Sequence, residues 1–488
     1  MSAADLLSGE ELAWAPAWRI KALFDEGALS PSEYATYLLG RVDAYSHYGA
    51  FISVFGDHLV EQAKASTQRY AKGEQSGLID GLPVSVKDTL FTKGLRTTLG
   101  SLAFADMVPD KDAVPCERIT AENGIIFAKS NTPEFALNRR SVNLVSREAL
   151  NPWDRKRTSG GSSGGAGVAA AAGLGPLAVG TDGGGSIRIP SAFNGVFGML
   201  SSRGRIPNGA GLYQAPTSGI GPMTRDVRDA ALLFQIMAGS DERDVRTMRE
   251  PVPDYLTGLD DGVAGLRMGW SQDLGRVQPD VPEIPELVHE VARTFAKLGA
   301  VYSELDIKLE DPHDLLELDT EYSRRDIDNW FQTLVPEYKN MMHWALTLPP
   351  EQRELLSVYI TDRTDRPTIL EYSMAIKPEV RYRPKTRLAD LFEGIDVLMA
   401  PVIARPAFLC GDENVTPWQY TAYTMLANSS GYCACSIPAG FYNGMPIGLQ
   451  LLAPPNREDI LFRAARALER ERPWAQFRPD LEPAPVYA

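Results

Sequence analysis

Residues 157–195 read RTSGGSSGGAGVAAAAGLGPLAVGTDGGGSIRIPSAFNG, two serine-bearing glycine runs on either side of an Ala-rich stretch and a short apolar run. Side chains this small let backbones approach closely, so the segment belongs inside a packed structure with tight turns at the glycine runs. No charged residue lies between Thr158 and Thr181, yet the stretch is Gly, Ser and Ala rather than Leu, Ile and Val, so it does not read as a membrane span. Each run also presents consecutive backbone N–H groups, unobstructed by side chains, around a hydroxyl. Stabilising a developing oxyanion requires that arrangement. Gly183-Gly184-Gly185-Ser186 is the better of the two, because successive amides can converge on one oxygen while the serine faces it.

Around this segment the texture alternates. LPVSVKD, GIIFAKS, GPLAVGTD and GVFGML are apolar runs bounded by Gly and Pro, and read as buried strands. CERITAENG and GVAAAAGLG read as helices between them, so the fold class is α/β, a sheet covered by helices on both faces. Residues 1–78 form a helical N-terminal layer, with a Ser-Pro cap signal opening SPSEYATYLLGRVDAY and a second amphipathic run, HLVEQAKASTQRYAKG. The core runs over 79–245. Residues 246–392 are mostly helical, with Trp330, Phe331, Tyr338, Met341, Met342 and Trp344 close together. Over 393–488 the strand texture returns in IDVLMAPV, CACSIPAGF and MPIGLQLLAP and is expected to rejoin the first sheet, leaving the middle helices as an insertion.

Lys+Arg 49 against Asp+Glu 63 leaves a net charge of −14, which repels phosphate backbones and anionic lipid, so a small-molecule substrate is expected, with no nucleic acid and no membrane as partner. Cys116, Cys410, Cys433 and Cys435 are too few and scattered for a disulfide framework, and the N-terminus lacks a signal-peptide pattern, so the expected location is cytoplasmic. Cys433 and Cys435 read as small buried residues on one strand face, not as metal ligands.

Gly160-Gly161-Ser162-Ser163-Gly164 matches a nucleophile elbow and Gly165–Ala170 a loose dinucleotide fingerprint, but neither follows a strand, and no phosphate-binding P-loop occurs. A serine nucleophile needs a base. The five histidines, His47, His58, His289, His313 and His343, all lie outside the Gly/Ser region. Lys87 ends an apolar strand, and bringing its pKa from about 10.4 to about 7 takes about 4–5 kcal/mol of burial and charge effects, within the documented range.

PVSVKD, KSNTPEFA, NPWD, GGSSGG, GTDGGGSIRIPSAFNG and SIPAGFYNGMPIGLQLL occur in the order and spacing of the amidase signature family, the Ser-Ser-Lys amide hydrolases, which this chain resembles from Leu82 to Arg205 and again over the last stretch. The resemblance implies one large α/β/α unit with a mixed central sheet. It implies Ser186 as the acylated nucleophile, Ser162 as the bridging hydroxyl and Lys87 as the base, with backbone N–H groups of Gly183, Gly184, Gly185 and Ser186 holding the oxyanion. Ala136 would line the acyl pocket, Asp182 and Arg188 would anchor the nucleophile loop, and neither a metal nor an organic cofactor is required. A homodimer is what the resemblance suggests. Gly198-Met199-Leu200-Ser201 departs from the Gly-Leu-Lys-Pro run of many members.

These readings converge on an amidase acting on a small carboxamide or anilide with an apolar or aromatic part. Two rivals stand beside it. One is the glutamine-hydrolysing A subunit of a tRNA amidotransferase, whose Ala-Glu-Ala-Ser-Ser-Asn-Leu-Ala-Arg run is missing from this sequence. The other is a catalytically silent binding protein, against which intact Lys87, Ser162 and Ser186 argue.

Overall fold

A computed structural model of the chain describes residues 9–210, 217–309, 349–356, 388–412, 414–415 and 417–484. Eleven strands form one sheet: β1 (Phe51–Val54), β2 (Pro83–Lys87), β3 (Ile125–Ser130), β4 (Leu177–Asp182), β5 (Phe197–Leu200), β6 (Gly219–Thr224), β7 (Arg267–Trp270), β8 (Val301–Glu304), β9 (Val397–Pro401), β10 (Cys433–Tyr442) and β11 (Met445–Ala453). Their spatial order is β1-β3-β2-β4-β6-β5-β10-β11-β9-β7-β8. The sheet is mixed: β2 runs parallel to β3 and β4, and β7 parallel to β8 and β9, while the strands between are antiparallel.

The apolar runs read from sequence are β2, β3, β4, β5, β9, β10 and β11, and the C-terminal strands do rejoin the first sheet, Cys435 of β10 lying opposite Met199 of β5. Pleating sends alternate residues to opposite faces, so both faces need cover. Met399, Cys433, Cys435 and Leu451 enter one core cluster, while Leu398, Ala400, Ala434 and Leu452 enter another. Cys433 and Cys435 are fully buried and unbridged, as their spacing predicts.

Four strands differ from the expectation. β1 lies inside the N-terminal stretch read as helical, and β7 and β8 lie inside the stretch read as mostly helical. All three span only four residues and, unlike the equally short Phe-Gly-Met-Leu of β5, each includes a polar or charged residue that breaks the apolar run. β6, Gly-Ile-Gly-Pro-Met-Thr, looks like a turn, but Pro222 pairs with Val179 of β4 within the ladder. The N-terminal cap is as read: Ser30 precedes the helix Pro31–Ala44 and exchanges bonds with Glu33 in a capping box. The aromatic and Met cluster at 330–344 lies outside the described residues.

The helix Gly164–Ala171 is buried along its whole length and connects the first serine run to β4. Its glycines permit the contact. A Cβ on Gly165 would stand 2.2 Å from the Asn131 backbone nitrogen and 2.4 Å from the Ala50 carbonyl, neither of which is a flexible side chain. At Gly183 a Cβ would meet nothing within 4 Å. Gly165→Ala should therefore lower the stability read by urea unfolding by about 1–3 kcal/mol or more, while Gly183→Ala should leave the unfolding midpoint unchanged.

Candidate active site

Lys87 is the last residue of β2, and Thr181 stands one residue before the end of β4, the parallel neighbour of β2. Carboxyl ends of adjacent parallel strands are where open α/β sheets place ligands. The loop ahead of the helix Gly164–Ala171 brings Ser162 to the same spot. Lys87 Nζ lies 2.6 Å from Ser162 Oγ, 2.8 Å from Thr181 Oγ1 and 3.3 Å from the Thr181 carbonyl oxygen. Lys87 is fully buried and Ser162 nearly so. Burial pushes the Lys87 amine down from its ordinary 10.5 to about 7, with the negative charge of Asp182 pulling the other way. That shift disfavours the ammonium by about 5 kcal/mol.

Burial alone does not single out Lys87. Lys129 in β3 is equally buried, and burial pushes its amine down too, against the opposing pull of Asp88. Lys129 Nζ, however, donates to the Leu90 carbonyl and to Thr92 Oγ1. Lys87 is the one bonded to a hydroxyl in a glycine run. The sequence alone assigns no role to Thr181. Its carbonyl accepts from Ser163 Oγ at 3.0 Å and its N–H donates back to the same hydroxyl at 3.2 Å, so one threonine fixes both Lys87 and the serine loop.

Ser186 is half-buried, and its carbonyl accepts the Ser163 N–H at 3.1 Å, so the two serine runs are bonded through their backbones one residue from Ser162. The loop carrying Ser186 is built around Asp182. Arg188 donates from Nε to Oδ2 and from Nη2 to Oδ1, each at 3.0 Å, and both side chains are fully buried. Burial by itself would raise the Asp182 carboxyl; the Arg188 charge and the surrounding hydrogen bonds outweigh it and hold the group at about 2. Arg188 also donates to the Thr424 carbonyl at 2.8 Å and to Gln450 Oε1 at 2.7 Å. This is the anchoring role read for the pair.

The three glycines are not equivalent. The Gly185 N–H donates to Asp182 Oδ1 at 2.6 Å, so it is engaged by the anchor and differs from the expected oxyanion donor. The Gly183 carbonyl accepts from Thr217 Oγ1 at 3.1 Å, and the Gly184 carbonyl accepts from Thr424 Oγ1 at 2.6 Å. In a trans peptide the N–H points opposite to the C=O, so Thr217 turns the Gly184 N–H away from itself. Ala136 is partly exposed and, with Phe135, adopts a left-handed conformation, φ 61° and 52°. For residues with side chains that is a sparsely populated region. Two residues on, the Asn138 carbonyl abuts Gly161, where a Cβ would stand 2.6 Å away.

Among the described residues no group of three or more His, Cys, Asp or Glu is arranged to hold a metal ion, and no helix is long and apolar enough to cross a membrane. His289 pairs with Tyr302 and stacks on Trp270, and His47 packs on Tyr48; His313 and His343 lie outside the described residues.

The sequence profile of the Amidase family matches residues 33–462. The chain belongs to the amidase signature family. The glutamyl-tRNA(Gln) amidotransferase A subunit of Anaeromyxobacter sp. (strain K) is 34% identical over 466 residues, 91% of this chain and 93% of its own. A bacterial aryl acylamidase of the amidase signature family superposes with a TM-score of 0.82 at 26% identity, covering 95% of this chain and 97% of that one. For 6-aminohexanoate cyclic dimer hydrolase the TM-score is 0.81 at 25% identity, with 96% and 99% covered. This amidase-family chain is accordingly an enzyme of the amide-hydrolysing class.

Removing the Arg188 charge leaves a buried carboxylate with hydrogen bonds but no countercharge. Arg188→Met should lower the unfolding free energy at neutral pH by about 3–5 kcal/mol, measured in urea. In the unaltered protein Asp182 has a folded value below its ordinary 3.8, so its contribution of about 2 kcal/mol is present above about pH 4 and is lost as pH falls toward about 2.

Proposed function

We propose that the chain is an amidase that cleaves a small carboxamide or anilide, with an apolar or aromatic part, through a relay of Lys87, Ser162 and Ser186 and an acyl-enzyme. The observation that carries this reading is the 2.6 Å contact between a buried Lys87 amine held near pH 7 and Ser162 Oγ. A neutral amine has two N–H bonds and one lone pair. The two Thr181 oxygens accept the N–H bonds, which leaves the lone pair for the Ser162 hydroxyl. Lys87 then takes the Ser162 proton, Ser162 takes that of Ser186, and the Ser186 oxygen attacks the amide carbonyl. The N–H groups of Gly183, Gly184 and Ser186 are the donors assigned to the tetrahedral oxyanion, Gly185 being bonded to Asp182. Ser162 returns a proton to the departing amine, and water clears the acyl group by the same route in reverse. Ala136 is assigned to the acyl pocket.

A second reading has its own support: the A subunit of glutamyl-tRNA(Gln) amidotransferase is the relative at 34% identity. Against it stand the TM-score of 0.82 to an aryl acylamidase, compared with 0.73 to the corresponding amidotransferase protein from Thermotoga maritima, and the missing Ala-Glu-Ala-Ser-Ser-Asn-Leu-Ala-Arg run. Glutamine hydrolysis with transamidation only alongside partner proteins would decide for the amidotransferase. Release of aromatic amine from anilides by the isolated chain decides for the amidase.

Ser186→Ala should abolish both anilide hydrolysis and labelling by a fluorophosphonate with the circular dichroism spectrum unchanged; residual turnover in that variant would exclude Ser186 as nucleophile. For Lys87 the active form is the unprotonated one, so kcat/KM should rise with pH through about 7 to a plateau. Lys87→Ala should lower the plateau by about 10²–10⁴-fold. A rate and pH profile indifferent to that substitution would remove Lys87 from the relay.

A further inference from the structure

The peptide leading into Ser162 has a holder from a distant part of the chain. Tyr420 lies in the short helix Pro417–Thr421, 259 residues from Gly161. Its ring is buried against Phe193 and Phe408, edge-on at 6.3 and 6.2 Å between centroids. Its hydroxyl accepts the Gly161 N–H at 2.8 Å and donates to the Gly161 carbonyl at 2.8 Å. The Gly161 carbonyl belongs to the peptide unit that continues into Ser162, so the plane gripped by the hydroxyl sets where the Ser162 side chain starts. Gly161 is buried, and loss of that hydroxyl would leave both of its backbone groups without a partner. Burial pushes the Tyr420 phenol well above its ordinary 10, so it stays protonated and able to donate throughout the working pH range.

The same stretch of chain holds the other serine run. Thr424 donates to the Gly184 carbonyl, and Asn428 Nδ2 donates to the Asp182 carbonyl at 2.9 Å. One segment therefore bears on both loops, and of these three side chains Tyr420 is the one that reaches the first. We propose that Tyr420 is a positioning residue for Ser162: its hydroxyl fixes the Gly161 peptide so that Ser162 Oγ stays within bonding distance of Lys87 Nζ, without itself touching substrate. The inference rests on the Lys87–Ser162–Ser186 reading.

Tyr420→Phe removes the hydroxyl and keeps the ring. With the folded fraction checked by near-UV circular dichroism, kcat on a hydrolysed anilide and the rate of fluorophosphonate labelling should both fall by about tenfold or more, while KM moves by less than about threefold. The acid limb of kcat/KM should stay near 7, because Lys87 keeps its burial. Phe408→Leu, which loosens the ring packing and spares the hydroxyl, should lower Tm with kcat unchanged.

Labelling of Tyr420→Phe within about twofold of the parent rate would overturn the proposal. So would an acid limb displaced toward 10, which would mean that Tyr420 only keeps water from Lys87. An equal loss of kcat in Phe408→Leu would assign the effect to packing and overturn it too. Ser186→Ala separates the two ideas: continued labelling of that variant defeats the relay itself, whereas an unimpaired Tyr420→Phe beside an inert Ser186→Ala defeats only the role of Tyr420.

Discussion

A lysine that is to be uncharged near neutral pH must be kept from water and from any carboxylate that would draw it back to the ammonium form, and the site is arranged around that requirement at Lys87. All five residues of β2 are buried, and parallel strands flank it on both sides. Asp182 is the negative charge that opposes the shift. Its two oxygens are bound by the Arg188 fork and by the N–H groups of Gly185 and Ile187, so the charge is largely answered where it stands. The ion pair deep in the core thus serves two ends, shaping the loop that carries Ser186 and limiting the field that reaches Lys87.

Small residues give that arrangement its geometry. The Gly-rich helix Gly164–Ala171 seats itself against Asn131 and Ala50 at distances no side chain would allow, and this carries Ser162 and Ser163 to the end of β4. Hydroxyls then take over from side-chain bulk as the means of fixing the loops. Ser141 donates to the Gly160 carbonyl and accepts the Gly164 N–H; the hydroxyls of Ser163, Thr424 and Tyr420 likewise bond the backbone of a second segment. These buried hydroxyls are tolerated because each of them has a partner.

Much of this was legible in the sequence, and the boundary has a physical cause. Apolar runs announce β2–β5 and β9–β11, and the serine-glycine runs announce the loops. The four-residue strands β1, β7 and β8 each break their apolar run with a polar or charged residue, and Pro222 disguises β6. Lys87, Ser162 and Ser186 stand in segments whose composition is unusual enough to notice. Thr424, Tyr420 and Asn428 do not, because a side chain that bonds to the backbone of a remote loop leaves no periodicity and no local bias. The engagement of the Gly185 N–H by Asp182 was equally invisible: three consecutive glycines look interchangeable until a carboxylate selects one.

The sheet order has a consequence for how the enzyme is made. β10 seals the edge of β5, and Gln450 of β11 with Thr424 completes the ring of acceptors around Arg188. The first two hundred residues alone therefore hold Lys87, Ser162 and Ser186 beside an uncovered strand, with an Arg188 guanidinium that has Asp182 but lacks Thr424, Asn428 and Gln450. A chain that ended before Thr424 would lack the strand that pairs with β5 and the Thr424 and Gln450 acceptors of Arg188, so the loop bearing Ser186 is secured by the far end of the sequence.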